Sequence, residues 1–182
     1  MRIRSLLSAA LLFVCAHAFA EVKSVTIFQD RRITVDVPEG WTYSDSRDGD
    51  TGVQTLLVEQ ADGVKLEASF LPDSENRLEK RDAMEGLMKQ AFGDTLEGAV
   101  EKEMRITFVD TADGYAGLTV FTDKKLEGVK EVPPDERRYA TSAVRRWPGV
   151  MMIVTVLSND TNSPAYQQAL TLLSKGIRQV SK

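Results

Sequence analysis

The sequence predicts an α+β domain, built on a mostly antiparallel β-sheet with two helices packed on it. Short β-rich segments follow one another closely, and tight-turn signals separate them, including Ala-Asp-Gly at both 61–63 and 112–114. Only two segments have the spacing of amphipathic helices, and no strand–helix–strand alternation occurs. The length of 182 residues suits one domain with a substantial core.

Two strand pairs are predicted before the first helix. Segments 25–28 and 33–37 form the first pair, and segments 53–60 and 64–71 form the second around an Asp-Gly turn. The stretch 44–52 between the pairs is polar and contains two glycines. We therefore predict a loop there.

Both predicted helices have capping signals. A cap at 73–74 starts the first helix, and Gly93 ends it. A cap at 162–163 starts the second helix, with Pro164 at the first helical position, where its missing N–H costs nothing. The apolar spacing predicts that this last helix continues to Val180.

Four strands are predicted between the helices. Segments 104–109 and 115–122 pair around the second Ala-Asp-Gly turn, and a charged loop with two adjacent prolines follows at 124–136. Segments 139–146 and 150–157 then form a hairpin around a Trp-Pro-Gly turn. The last of these segments is a continuous apolar run, which is typical of a strand buried on both faces at the centre of a sheet.

Residues 1–20 have the pattern of a secretory signal peptide. A basic start precedes a short apolar segment at 6–14, and Ala18 and Ala20 supply small side chains at the cleavage site. We predict cleavage between Ala20 and Glu21, a single mature domain of residues 21–182, and a periplasmic or secreted location. The apolar segment is shorter than the roughly 20 residues of a membrane-spanning helix.

Cleavage would remove Cys15 and His17, the single cysteine and the single histidine. Lipoprotein anchoring at Cys15 is disfavoured because Val14 stands where a lipobox has a small residue. Removal of the two leader arginines leaves 21 Lys and Arg against 27 Asp and Glu, a net charge of −6. An acidic chain with scattered basic residues is a poor nucleic-acid binder, so we expect no nucleic-acid partner.

The stretch Ile33-Thr-Val-Asp-Val-Pro-Glu-Gly-Trp41, an alternating strand that ends in Pro-x-Gly-Trp, resembles the PsbP-like superfamily. The succession of hairpin, helix, paired strands and C-terminal helix over the mature chain is similar to that group as well. The group includes a lumenal photosystem extrinsic protein, a nuclear Ran-binding relative and DcrB-type bacterial envelope proteins. The resemblance implies an α/β/α sandwich around an antiparallel sheet and a non-enzymatic binding or assembly role. It assigns no functional residue.

The absence of His and Cys from the mature chain excludes Ser-His-Asp and Cys-His centres and zinc sites made from these residues. We therefore predict no enzymatic activity and no cofactor. A hydrolase would need a metal held by oxygen ligands or paired carboxylates, and Glu101 and Glu103 on one strand face are candidates for such a pair. Ser174 and Lys175 are adjacent on a predicted helix and do not face each other.

Two patterns have the residue types of metal sites, but packing and turn formation explain them better. The acidic loop 45–50 lacks the ligand register of a calcium loop, and Arg47 would repel the ion. Four methionines could serve as soft ligands for copper(I), but their helical spacing and apolar surroundings favour core packing. These residues are Met84, Met88, Met151 and Met152.

Arginine and tryptophan are enriched at protein-binding hot spots, and both types cluster near the predicted Trp-Pro-Gly turn. The candidate partner-binding residues are Arg145, Arg146 and Trp147 at the turn, with Arg137 and Arg138 at the start of the same strand. The competing interpretation, which we favour, makes the arginines rim charges and folds Trp147 onto the sheet.

Three functions remain open from the sequence. The leading hypothesis is an exported, non-enzymatic module that binds or assembles a protein partner in the cell envelope. The second is a small-molecule or lipid carrier with an apolar cleft between the sheet and a helix. The third and least favoured is a metal- or carboxylate-dependent hydrolase. The sequence defines neither the partner nor the oligomeric state.

Overall fold

The structure, a computed structural model, describes residues 19–28, 31–61 and 63–180. The predicted signal peptide up to residue 18, with Cys15 and His17, lies outside the described residues. The described chain forms ten strands and two α-helices. In chain order these are β1 (Phe19–Thr26), β2 (Arg32–Pro38), β3 (Trp41–Arg47), β4 (Gln54–Gln60), β5 (Lys65–Pro72), α1 (Arg81–Phe92), β6 (Thr107–Thr111), β7 (Gly114–Thr122), β8 (Tyr139–Trp147), β9 (Val150–Ser158), α2 (Pro164–Thr171) and β10 (Ile177–Gln179).

Two antiparallel sheets carry the fold. Seven strands form the large sheet in the order β3-β4-β5-β9-β8-β7-β6, and the small sheet has the order β1-β2-β10. The α+β prediction is confirmed, and β9 is the central strand of the large sheet, as its apolar run predicts. The predicted burial on both faces is not met, because the residues of β9 alternate between buried and half-buried: one face is closed and the other is partly open.

The helices lie on opposite faces of the large sheet. On one face, α2 and the small sheet cover the main core, where Tyr166 and Leu172 pack with Val154 of β9 and Ile33 of β2. On the other face, Met84 of α1 forms a smaller buried cluster with Met88, Leu78 and Val144. Val144 and its neighbours on β8 point to opposite faces, because side chains alternate along a strand.

Three predicted elements differ from the structure. The polar stretch at 44–52 was expected to be a loop, but β3 extends to Arg47 as a largely exposed edge strand paired with β4. An edge strand can be largely exposed, so the polar residues of β3 lack the apolar alternation by which a strand is recognised in a sequence. The first helix begins at Arg81 rather than at 73–74, because Asn76 adopts a left-handed conformation and a 3-10 turn follows it.

The last helix was expected to reach Val180, and it does not. It ends at Thr171, continues as a π-helical turn over Leu172–Gly176 and then becomes β10, which pairs with β2. Ile177 is thereby buried opposite Val35 in the small sheet. The predicted start is confirmed, since the Ser163 hydroxyl accepts a hydrogen bond from the Tyr166 amide at 3.2 Å.

Candidate functional site

Arg145 and Trp147 lie inside the protein. Neither side chain is exposed, and the Arg145 guanidinium lies 4.8 Å from the centre of the Trp147 ring. Asp113 joins them, because its Oδ2 accepts hydrogen bonds from Arg145 at 3.2 Å and from Trp147 Nε1 at 3.0 Å. The Trp147 ring also packs parallel to Phe70 on β5, with 6.0 Å between ring centres.

The Arg145 guanidinium also holds the turn that follows α2. One of its nitrogens donates to the Leu173 carbonyl at 2.6 Å and to the Ile177 carbonyl at 2.9 Å. These carbonyls flank the step from the π-helical turn into β10, where helical hydrogen bonding stops. Burial lowers the pKa of Arg145 to about 10, and the Asp113 carboxylate opposes that shift, so the guanidinium is charged at neutral pH.

The other three candidate arginines are bonded within the chain. Arg137 donates to the Gly63 carbonyl at 2.5 Å, and Arg138 donates to the Val129 carbonyl. Arg146 reaches the exposed Glu79 at 3.4 Å. Arg145 and Trp147 do not form an exposed tip, because strand alternation turns both residues toward the core that α2 closes. Trp147 thus lies on the sheet, as in the favoured interpretation, whereas Arg145 is buried and is not the rim charge which that interpretation expected. Their partner-binding role stays a prediction.

An apolar groove runs between α2 and the strands β6 and β7. It has a volume of about 470 Å³. Its apolar lining consists of Val109, Leu118, Val120, Tyr166 and Leu170. Val120 is 38% exposed, which is unusual among the large apolar side chains that the structure describes. We call this feature the α2 groove.

Strand alternation and one buried hydrogen bond build the α2 groove. Leu118 and Val120 are two residues apart on β7, so both side chains point to the same face. Thr141 lies opposite Val120 on β8, and its hydroxyl is 2.7 Å from the Tyr166 hydroxyl of α2. Both hydroxyls are buried, so this bond fixes α2 against the floor of the groove.

The α2 groove borders the edge of the large sheet. Strand β6 ends the sheet order and pairs only with β7 among the described strands. Polar residues Glu101, Glu103 and Arg105 line the rim outside β6. Glu101 accepts hydrogen bonds from the Thr122 amide and hydroxyl at 2.8 Å, and Glu103 lies 3.2 Å from Arg105. Both candidate carboxylates therefore already have partners.

Potential metal ligands are used in other ways. Just after β3, the Asp48 carboxylate accepts hydrogen bonds from the Thr51 amide and hydroxyl at 2.6 Å, which lower its pKa. Within the described ranges, no three His, Cys, Asp or Glu side chains are grouped to hold a metal ion. Met84, Met88 and Met152 are fully buried, as expected for core packing.

The complete described architecture is similar to a known structure. The solution structure of cyanobacterial PsbP (CyanoP) from Synechocystis sp. PCC 6803 aligns with 96% of this chain and 99% of its own, with a TM-score of 0.53 and 15% identity. The chain has a PsbP-like fold. No protein-family model and no curated protein sequence match it. At this identity the similarity describes the PsbP-like architecture alone.

No helix that the structure describes is long and apolar enough to cross a membrane. The sequence allows an apolar cleft between the sheet and a helix, but it does not identify the apolar residues that line the α2 groove. Leu118 and Val120 have the same alternating pattern as fully buried strand residues, and Leu170 fits the buried stripe of a helix. The sequence did offer one indication. The strand that follows the charged segment 101–105 is short, which is typical of an edge strand, and the surface beside an edge strand can stay open.

Proposed function

We propose that this protein is a non-enzymatic binding module of the cell envelope, that it acts after export, and that its partner is another envelope protein. The observation that carries the proposal is the α2 groove beside an open sheet edge. Apolar surface of this size next to a strand edge suits an extended protein segment, because backbone groups pair with the edge and alternate side chains enter the groove. The predicted signal peptide supports the envelope location.

The residues at the groove support a binding role more than a catalytic one. Tyr166 and Thr141 bond each other, Glu101 is bonded to Thr122, and Glu103 is paired with Arg105. The remaining lining is largely apolar, and apolar side chains provide affinity without acid–base chemistry. The PsbP-like fold is consistent with this role.

Site-specific photo-cross-linking in living cells tests the proposal. A photoreactive amino acid at Val120, within the α2 groove, is expected to give a protein adduct of defined mass in the envelope fraction. The same amino acid at Val22, which is 59% exposed on β1, is the matched control and should give no such adduct. Leu170→Glu in the Val120 variant should abolish the adduct by placing a charge in the groove. Equal labelling from both positions would contradict the proposal.

A small-molecule or lipid carrier is the second candidate, favoured by the volume and apolar lining of the same groove. Native mass spectrometry of protein purified from the envelope separates the two. A carrier would retain a non-protein mass that Val120→Glu releases, whereas a protein-binding module would be recovered without one.

A further inference from the structure

The chain that leads into β6 leaves the edge of the large sheet before it joins it. Thr107 pairs with Leu118 of β7, and upstream Ala99 forms an isolated antiparallel bridge with Asp123, just after β7. Between these two pairings the β7 side advances by five residues and the other side by eight. Three extra residues therefore loop away from β7 as a large bulge. We call residues 101–106 the edge bulge.

The edge bulge leaves one position of β7 without a partner. Along an antiparallel strand, the backbone groups of every second residue point to the same neighbouring strand. The Thr122 carbonyl accepts from the Val100 amide at 2.9 Å, so Thr122 points toward the bulged side. Two residues back, Val120 directs its N–H and C=O to that side as well. Leu118 is paired there with Thr107, but no residue of the described ranges is paired there with Val120.

This gap opens into the α2 groove. Val120 is 38% exposed and lines the groove. Thr119 lines it too, although alternation places its side chain on the opposite face from that of Val120. The main chain that joins the two residues is therefore part of the groove wall, and this peptide unit carries the Val120 N–H. Apolar side chains of Leu118 and Leu170 lie beside it in the same wall.

The charged side chains of the groove are already engaged. Glu101 accepts from the Thr122 amide and hydroxyl at 2.8 Å, so its carboxylate takes the place of a backbone partner at the end of β7. Glu103 lies 3.2 Å from Arg105. The edge bulge thus satisfies its own charges and the backbone of Thr122, while the donor and acceptor of Val120 stay available to a ligand.

A gap of one residue selects the chemistry of that ligand. An extended peptide needs several open positions in succession, because its backbone groups alternate in direction. A primary carboxamide needs only one position. Its N–H and C=O lie side by side, so it can donate to the C=O and accept from the N–H of a single residue.

We propose that the α2 groove recognises a primary carboxamide on an apolar stem, bound by both backbone groups of Val120. The stem lies against Leu118 and Leu170. An asparagine or glutamine side chain of the partner segment supplies the carboxamide, so the source of the ligand rests on the protein-binding function proposed above. The segment itself follows the outer edge of β6.

Pentanamide has this chemistry without a protein, so it tests the site separately from the proposed function. Titration into the isotope-labelled protein is expected to shift the Val120 amide resonance saturably, with an affinity about fivefold or more above that of N,N-dimethylpentanamide, which has no donor. N-methylpentanamide should be as weak, because the N–H and C=O of a trans amide point in opposite directions. Equal binding of the three amides, saturation without a shift at Val120, or no saturable binding would each overturn the proposal.

The cross-linking experiment separates this inference from the proposed function. A protein adduct from the groove without pentanamide binding would overturn the carboxamide site and leave the protein-binding function standing. Pentanamide binding without a protein adduct would overturn the partner protein as the source of the carboxamide.

Two variants remove the site in different ways. Deletion of residues 101–103 takes out the three extra residues, which brings Arg105 opposite Val120 and closes the gap, so pentanamide binding should be lost. Val120→Pro removes the N–H, and a strand tolerates proline where the N–H has no partner. This variant should fold and bind pentanamide about fivefold or more weakly.

Val22→Pro, on the exposed outer strand of the small sheet, is the matched control and should bind pentanamide as the natural protein does. Unchanged binding to the folded deletion variant or to folded Val120→Pro would overturn the proposal. Failure of Val120→Pro alone to fold would show that its N–H already has a partner, and this result would overturn the proposal as well.

Discussion

The Arg145 guanidinium stacks on the Trp147 ring at 4.8 Å, and both side chains are closed to solvent. Arg146, between them in sequence, points to the opposite face of the sheet and reaches an exposed glutamate. Two adjacent arginines on β8 thus have different environments. One ties the end of the chain to the sheet, and the other forms a surface ion pair.

Substitution of these two arginines should therefore have unequal effects on stability. Arg145→Ala removes a buried side chain and leaves the Leu173 and Ile177 carbonyls without their donor, so we expect a loss of about 3–5 kcal/mol in the free energy of unfolding. Arg146→Ala should cost less than about 1 kcal/mol, because Glu79 is 71% exposed. Urea denaturation followed by circular dichroism measures both, and equal losses would contradict the assignment.

The Thr141–Tyr166 hydrogen bond should show coupling in a double-mutant cycle. Thr141→Val or Tyr166→Phe alone leaves a buried hydroxyl unpaired, at a cost of about 1–3 kcal/mol. The double variant removes both groups and should cost less than the sum of the single variants. Unfolding free energies of the four proteins give the coupling. Strict additivity would show that the two hydroxyls do not fix α2 to the groove floor.

Tyr43 should make stability fall at alkaline pH. Burial, and then the negative charge of Asp45, raise the pKa of Tyr43 above its ordinary value of about 10. Its stabilising contribution is full below about pH 10. It is lost as the pH rises further, because the unfolded chain releases the proton while the folded chain retains it.

Urea denaturation of the natural protein and of Tyr43→Phe across this range checks the prediction. The phenylalanine variant should lack this part of the alkaline decline, so the difference in stability between the two proteins should change above about pH 10. A difference that is constant across the whole range would rule out the burial effect.

Export should produce a chain that begins at Glu21. Intact mass and N-terminal sequencing of protein from the envelope fraction are expected to give this start, and Ala20→Arg should leave the precursor uncleaved because the −1 position needs a small residue. Cys15→Ser is the control, and it should change neither cleavage nor location. Loss of membrane association in Cys15→Ser would instead indicate a lipoprotein.

Much of the fold could be predicted from local sequence patterns. Asp-Gly turns, the apolar run of β9 and the Ser163 cap are short-range signals, and each produced the expected element. The edge strand β3 and the final strand β10 escaped prediction for different reasons. Strand β3 pairs with the next strand, β4, but its exposed polar residues lack an apolar alternation. Strand β10 depends on a partner distant in sequence and forms only because β2 lies beside Ile177.

The candidate sites depended on tertiary structure. Val120 has the same local pattern as a core residue, yet it is exposed because Tyr166 of α2 packs on Thr141 of β8 and leaves Val120 on the neighbouring strand β7 open. Asp73 has the local pattern of a helix cap, but in the structure it caps no helix: its carboxylate is buried and accepts from the Arg77 amide, and its own amide donates to the Gly149 carbonyl.

The sequence by itself determined the order of the elements, the antiparallel hairpins and the residue types available for chemistry. These follow from local backbone preference and from the periodicity of side chains along a strand or helix. Only the tertiary structure decided that Arg145 is enclosed and Arg146 is not, since burial depends on which face of β8 another layer covers.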